Sequence, residues 1–460
     1  MEKLITRRAT VELRVLNLNF WGLKWVPSFV CKDRQMRLNA LVEVLSSEDS
    51  ANWDFVVLEE VWSNDDYIAI ADSVRRIYPH SHYFYSGVIG SGVCVFSKGQ
   101  IISVLSHAYS LNGYAHKILH GDWFGGKVVG LCKIAHKGLR VNLYATHIHA
   151  EYNRVSDEYL PHRISQAYEL SQFIRMTNSD TDDVNIVAGD FNFEPDDLGY
   201  AIVRRFADLK DAWMTRLDLD SADDGNTCNT PDNIYSICEG KDDRTPRGKR
   251  IDYILYGQVQ GRTGVTCGSC QTVLNRIPGS KLCYSDHKGI EAVLEVGSPD
   301  SVAPTLFSPA IGPNVVPTFE NTFDKALAVL DSGVRRINQN RQVYMIALVV
   351  LFSLLIGTAE VDRQSLALAR WSMNALRVTL VMVITFCFWS AVILNRIEYH
   401  ALLAARNAMI IQRKWDDAQS ETSTSAGESE KAQLPGVGLQ LKHLDSKNDA
   451  IDFERNTDDH

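Results

Sequence analysis

Over residues 10–297 the apolar positions fall in short runs, several of them alternating with polar ones, which is the period of β-strands. Strand-like runs stand at 13–20, 55–58, 93–96, 128–134, 141–145, 184–188, 251–256 and 290–296. Two intervals carry a helical period instead. Met36, Leu38, Leu41, Val42 and Leu45 share one broad face of 33–45, and Ile164, Ala167, Leu170 and Phe173 share one of 162–174. Strands outnumber helices, and several follow one another with no helix between. The pattern predicts an α/β domain over 10–297, with two mixed β-sheets packed face to face and helices outside, rather than a doubly wound sheet.

The pattern changes after 297. Residues 298–320 are rich in Pro, Ser and Gly and read as a linker. Two uncharged apolar runs follow, 343–359 and 378–395, each near the roughly 17 to 20 residues that cross hydrocarbon. They predict a transmembrane helix pair at 342–360 and 377–395. Lys325, Arg335, Arg336 and Arg341 precede the first run, and Arg396, Arg406, Arg413 and Lys414 follow the second. The connection holds Arg363, Arg370 and Arg377. This bias puts both ends in the cytosol, and the endoplasmic reticulum or another cell membrane is the expected location. The basic N-terminus is followed by no apolar stretch of signal-peptide type.

Charge sharpens this outline. The formal net charge is −9, and residues 416–460 carry most of it, with 11 acidic and 4 basic residues. That tail is Ser/Thr-rich with few aromatics, so disorder is expected there. The remainder is near neutral, with no basic excess of the kind that binds polyanions, which disfavours a nucleic-acid partner. The nine cysteines are scattered and read as reduced thiols. Cys267 and Cys270 have C-x-x-C spacing, but no second pair completes a zinc site.

Candidate chemistry lies at strand ends. The segments are Asn17-Leu18-Asn19, Leu58-Glu59-Glu60-Val61, Thr146-His147-Ile148-His149, Gly189-Asp190-Phe191-Asn192 and Ser285-Asp286-His287, with Asp252 inside a strand. A lone Asp or Asn at a strand end is usually a turn former. Together, however, they supply carboxylates, amides and imidazoles. Mg²⁺ takes oxygen ligands, usually one or two carboxylates plus substrate phosphate, and a water nucleophile needs a base that titrates near neutrality. The set therefore points to Mg²⁺-assisted phosphodiester hydrolysis. Gly121 to Lys127 fits G-x-x-x-x-G-K, yet Val128 stands where a nucleotide P-loop needs Ser or Thr, and a strand follows instead of a helix. Trp21, Trp25, Trp62 and Trp123 are candidate bilayer contacts, though burial is the commoner fate of such residues.

The order N…E…H…GDxN…D…SDH resembles the endonuclease/exonuclease/phosphatase superfamily. Within it, the segments LNLNFWG, LEEVWS, IGSGVCVFSK, LNGYAHKILHGDWFGGK, THIHAEYN, PDDLGY, RIDYILY and SDH resemble the animal neutral sphingomyelinases. The resemblance covers residues 10–297 and the two apolar runs. It implies a DNase I-like four-layer sandwich hydrolysing sphingomyelin to ceramide and phosphocholine with Mg²⁺. By position it implies Glu60 as the main metal ligand, Asn17 close to the metal and Asp286 at a second metal or a turn. His287 becomes the general base with Asp252 as its partner. Asp190 aligns the nucleophile, Asn192 contacts phosphate or metal, His147 donates to a phosphoryl oxygen, and Lys127 lies near the phosphodiester. Strand alternation turns Glu59 away from Glu60 and gives it a structural role.

Rival readings share parts of this set. A nuclease uses the same chemistry but needs a basic groove. Another lipid phosphodiesterase, acting on a choline lyso-lipid for example, differs only in its substrate. A non-enzymatic membrane scaffold does not need the site residues.

Overall fold

The computed structural model of the chain describes residues 10–24, 26–27, 29–47, 52–117, 120–218, 223–236, 247–258, 263–298, 319–360 and 367–431. Along the chain come β1 (Val11–Asn19), α1 (Arg34–Ser46), β2 (Phe55–Glu59), α2 (Asn64–Val74), β3 (His80–Tyr83), β4 (Cys94–Ser97) and β5 (Gln100–Ala108). Then follow β6 (Val128–His136), β7 (Leu139–His147), α3 (Leu160–Thr177), β8 (Val184–Asp190), α4 (Leu198–Phe206), β9 (Lys210–Asp211) and α5 (Ala212–Thr215). The sandwich ends with β10 (Asp252–Gln258), β11 (Gly264–Val273) and β12 (Gly289–Gly297). Long helices α6 (Phe319–Glu360), α7 (Ala367–Trp389) and α8 (Asn395–Lys431) complete the described chain, with a π-turn at Ser390–Leu394 joining the last two.

Two six-stranded sheets form, in the orders β11-β12-β1-β2-β4-β3 and β5-β6-β7-β8-β10-β9. Among the described residues, only β1–β2 and β7–β8 pair in parallel. Parallel neighbours need a crossover, and α1 and α3 supply the two. Inward residues of both sheets, among them Leu13, Val15, Phe55, Val57, Leu143, Ala145, Ile186 and Ala188, form the central core. Leu16, Leu18, Val56 and Leu58 alternate with them and pack under α1 and α2. The expected two-sheet architecture with outer helices is therefore present.

A second outer layer holds α3 and α4, and the long helices dock on it. Phe323, Ala326, Leu330 and Ile337 of α6, and Leu402, Ala405 and Met409 of α8, are buried against Ile164, Tyr168 and Phe206. Phe206 and Phe323 stack at 4.5 Å between centroids. Burying each large side chain stabilises this contact by about 1.5–3 kcal/mol as an upper estimate. Helix α6 then runs on unbroken into its apolar half, where Val343, Ile346, Val349 and Ile356 are each more than 60% exposed. Both helical segments, Asn321–Thr358 and Trp371–Ala418, are long and apolar enough to cross a membrane.

The expected linker falls almost wholly outside the described residues, as does the acidic tail beyond 431. Disorder was expected from residue 416, but α8 continues to Lys431. Ala, Glu and Lys favour helix there, and Arg413 pairs with Asp417 one turn on at 3.9 Å. Cys267 and Cys270 are buried free thiols in β11, where an irregularity between Cys267 and Ser269 shifts the register.

Candidate active site

A cleft of about 340 Å³ opens where the C-terminal ends of β1, β2, β7 and β8 meet the start of β12. Three residues with side chains have left-handed backbone just beyond those strand ends: Trp21 (φ 54°), Glu60 (φ 58°) and Asn192 (φ 49°). Such conformations cost energy, and they persist where the surroundings hold them. Two fully buried arginines do the holding. Arg37 of α1 donates to the carbonyls of Phe20 and Trp21 at 2.7 and 2.8 Å, and Arg163 of α3 donates to that of Asn192 at 2.5 Å. Each parallel crossover helix thus braces the turn that presents the site. Gly92 makes room at Glu60, since a Cβ there would meet the Glu60 backbone at 3.3 Å.

One wall of the cleft is acidic. Glu60 and Asp286 both line it. Burial, reinforced by the Asp286 charge, pushes the Glu60 carboxyl up, and burial does the same to Asp286. The Asn19 amide donates to Glu60 Oε1 and to Asp190 Oδ2, each at 3.0 Å. Asn17, expected close to the metal, lies two residues deeper on the same face, fully buried, with both amide atoms unpartnered. Asn19 therefore occupies the place that the sequence reading gave to Asn17.

Beside these carboxylates stands a hydrogen-bonded dyad. His287 Nδ1 lies 2.9 Å from Asp252 Oδ2. In the neutral ring Nδ1 donates, which leaves Nε2 as the acceptor. Burial opposes charging this imidazole, but the Cys228 sulfur and the Asp252 carboxylate outweigh it and hold the group well above the ordinary histidine range. Burial keeps Cys228 itself a thiol near neutrality, so the Asp252 carboxylate is the stronger physical cause. Asp190 pairs across the sheet with Asp252, and burial together with that neighbour pushes it up to about 7.

Lys127 and His147 complete the site. The buried Lys127 ammonium donates to the Ile148 carbonyl at 2.9 Å and lies 2.9 Å from His147 Nε2. An ammonium has no lone pair, so Nε2 accepts and the proton sits on Nδ1, which has no partner. Burial, then the Lys127 charge, lowers His147 well below its usual value. Asn192 donates its backbone N–H to Asp190 Oδ1 at 2.9 Å and its side-chain amide to Ile148 O at 3.0 Å. Lys127 immediately precedes β6, so the G-x-x-x-x-G-K segment leads into a strand, as the sequence reading required. Trp21 and Trp62 line the cleft, and Trp25 lies outside the described residues.

Glu59 ends β2 fully buried and does not line the cleft that Glu60 lines, with both its oxygens unpartnered. Burial and then the Asp252 and Asp190 charges push it well up. Glu60 ends on the site because it has left the strand, not because alternation turned it there.

The donor set suits a hard divalent cation. Glu60 and Asp286 are oxygen donors that burial pushes up despite the groups around them, a condition that a cation relieves. Atoms of Asp190, Asp252 and His287 also lie within 4.8 Å of one another. The internal hydrogen bond already engages Nδ1 of that trio.

The profile of the Endonuclease/Exonuclease/phosphatase family matches residues 25–287. The chain belongs to that family. It is 39% identical over 416 residues to a putative neutral sphingomyelinase of Caenorhabditis elegans, covering 87% of this chain and 91% of the relative. It is 41% identical over 287 residues to human sphingomyelin phosphodiesterase 2, covering 62% of this chain and 65% of the relative. The solved sphingomyelinase C from Streptomyces griseocarneus superposes with a TM-score of 0.44 at 18% identity, over 63% of this chain and 99% of that one.

Sequence reasoning missed Asn19 as the bridging amide, Cys228 against His287, and the bracing arginines. Asn19 carried a weak signal, standing on the same strand face as Asn17. Cys228 and the arginines carried none.

Proposed function

We propose that the chain is a Mg²⁺-dependent phosphodiesterase that hydrolyses membrane sphingomyelin to ceramide and phosphocholine. The observation that carries this reading is the hydrogen-bonded His287–Asp252 dyad beside the Glu60 and Asp286 carboxylates at one cleft. The extended similarity to neutral sphingomyelinases supports the choice of substrate.

In this reading Glu60 and Asp286 hold the cation, and Asn19 braces Glu60 against Asp190. Bound there, Mg²⁺ supplies positive charge for the phosphoryl and leaving oxygens. Lys127 and His147 face the phosphoryl oxygens as one pair, with Lys127 the charge donor and Asn192 alongside. Asp190 aligns the attacking water. His287 Nε2 takes its proton while Asp252 stabilises the imidazolium that forms. The water oxygen bonds to phosphorus, the bond to the ceramide oxygen breaks, and the ceramide alkoxide takes up a proton. The helix pair holds the enzyme at its two-dimensional substrate, and the basic flanks set both termini in the cytosol.

The test is hydrolysis of sphingomyelin, phosphatidylcholine, choline lyso-lipids and DNA by the full chain with and without Mg²⁺. Sphingomyelin turnover that vanishes on chelation is expected. Faster turnover of a lyso-lipid would move the substrate, and cleavage of DNA alone would sink the reading. Protease added to intact microsomes should remove both ends of the chain, and protection of either end refutes the topology.

A further inference from the structure

A second polar crevice lies outside the catalytic cleft, at the level where the long helices turn apolar. A small crevice is walled by Tyr114 and His116 from the β5–β6 loop, Asn340 and Tyr344 from α6, and Asn395 and Glu398 at the start of α8. Tyr344 stands at the beginning of the first apolar run, and Asn395 closes the second. If α6 and α7 span the membrane as proposed above, the crevice sits at its cytosolic surface, among lipid headgroups.

Its chemistry selects one kind of guest. Glu398 is half-buried, and no Lys, Arg or His pairs with it among the described residues. Burial pushes its carboxyl up to about 8, and an ammonium group seated against it would draw it back to the carboxylate. Three rings surround the space: Tyr114 stacks on His116 at 5.4 Å, and His116 meets Tyr344 edge-on at 6.2 Å. The Glu398 charge acts on both tyrosines, so the carboxylate lies beside them. A carboxylate among aromatic faces attracts an organic cation. It repels phosphate, and two of the basic groups nearby are engaged by Glu158, Arg336 at 3.6 Å and Lys117 at 2.8 Å. One carboxylate and two amides fall short of the six to eight oxygens that Ca²⁺ takes. The interior space is about 20 Å³, room for a water-sized head and not for three methyl groups.

We propose that this crevice binds the primary ammonium group of an aminophospholipid in the cytosolic leaflet. The lipid's phosphate then lies outside the crevice and its chains run beside α6 and α7. Nothing in the catalytic cleft takes part, so Glu398 acts on lipid retention and not on the reaction.

The experiment measures lipid retained by the purified full chain in native mass spectrometry after delipidation. Phosphatidylethanolamine, phosphatidylcholine and phosphatidylglycerol are offered separately. Phosphatidylethanolamine should be retained on the order of tenfold more than phosphatidylglycerol, about 1.4 kcal/mol. Glu398→Gln, nearly isosteric, should erase that preference while keeping the parent's thermal midpoint and its sphingomyelin turnover in detergent. Tyr344→Leu should weaken the preference in part. Equal retention of the amine and glycerol lipids, or an unchanged preference in Glu398→Gln, overturns the proposal. Equal retention of the choline lipid overturns the restriction to a primary ammonium. The membrane reading is checked apart: if α6 and α7 do not span, alkaline carbonate extracts the chain from membranes. A chain that resists extraction yet shows no preference refutes the headgroup site alone.

Discussion

The two ends of β2 treat their carboxylates in opposite ways. At its start Asp54 is 4% exposed and fully answered: His136 Nε2 lies at 2.7 Å, Lys137 Nζ at 2.9 Å and the Arg14 N–H at 2.9 Å. Burial pushes Asp54 up, and these partners more than offset it, so its carboxyl ends below the usual range. At the far end of the same strand Glu59 has no hydrogen-bond partner, and burial pushes it and Glu60 up, with Asp190 and Asp286 raised likewise because their partners do not offset burial. One end of the sandwich uses charge to hold the fold. The other keeps charge unsatisfied, which is how a site retains affinity for a cation and a transition state.

Breaking the working end should produce the largest effect. His287→Ala should lower kcat by about 10²–10⁴. The base works only when neutral, and its raised value places the acidic limb of the pH–rate profile above the ordinary histidine range. Asp252→Asn removes the charge that favours imidazolium, so it should move that limb to lower pH as well as slow turnover. A parent-like rate and limb in His287→Ala would transfer the role of base to another group. Glu60→Gln comes next: turnover should fall by on the order of 10², with a rise in the Mg²⁺ concentration giving half-maximal rate. Full activity at the parent's Mg²⁺ requirement refutes Glu60 as a ligand.

The structural end should answer in stability alone. Asp54→Asn should cost about 1–3 kcal/mol and leave kcat unchanged. The folded value lies below the unfolded one, so this stability is present above the unfolded carboxylate range and is lost as pH falls through the folded value. Melting curves of parent and variant should therefore converge in acid, and a constant gap down to the lowest pH contradicts the assignment. The smallest effect belongs to Arg406→Ala, which breaks a half-exposed pair with Asp331 of 2.6 Å. It should cost about 0.2–1 kcal/mol, and a loss of several kcal/mol in thermal unfolding would mean that charge, not burial, docks α8.

What the sequence disclosed follows the range over which each feature is decided. The central strands were legible because an apolar run between turn formers is a local signal, and so were the strand-end motifs. Strand β5 was not, because it forms a sheet edge, with Ile102, Val104 and Leu105 all more than 40% exposed, and so lacks the alternation of a half-buried strand. The choice between Asn17 and Asn19 depended on Asp190, 171 residues away from Asn19 in the chain. The left-handed turn at Glu60 was not legible, because it depends on the room that Gly92 leaves beside it. Cys228 meets His287 through an isolated bridge between loops, which no spacing announces.

The docking of α6 and α8 on the α3–α4 layer has a practical consequence. Cutting the chain after 297 to obtain a soluble enzyme would uncover Phe206, Tyr168 and their neighbours as an oily stripe on the catalytic domain. Such a fragment would self-associate or cling to detergent through a face that plays no part in catalysis. A well-behaved soluble form needs that stripe recoated with polar side chains, or the two amphipathic helix ends retained and rejoined by a short polar bridge in place of the apolar hairpin.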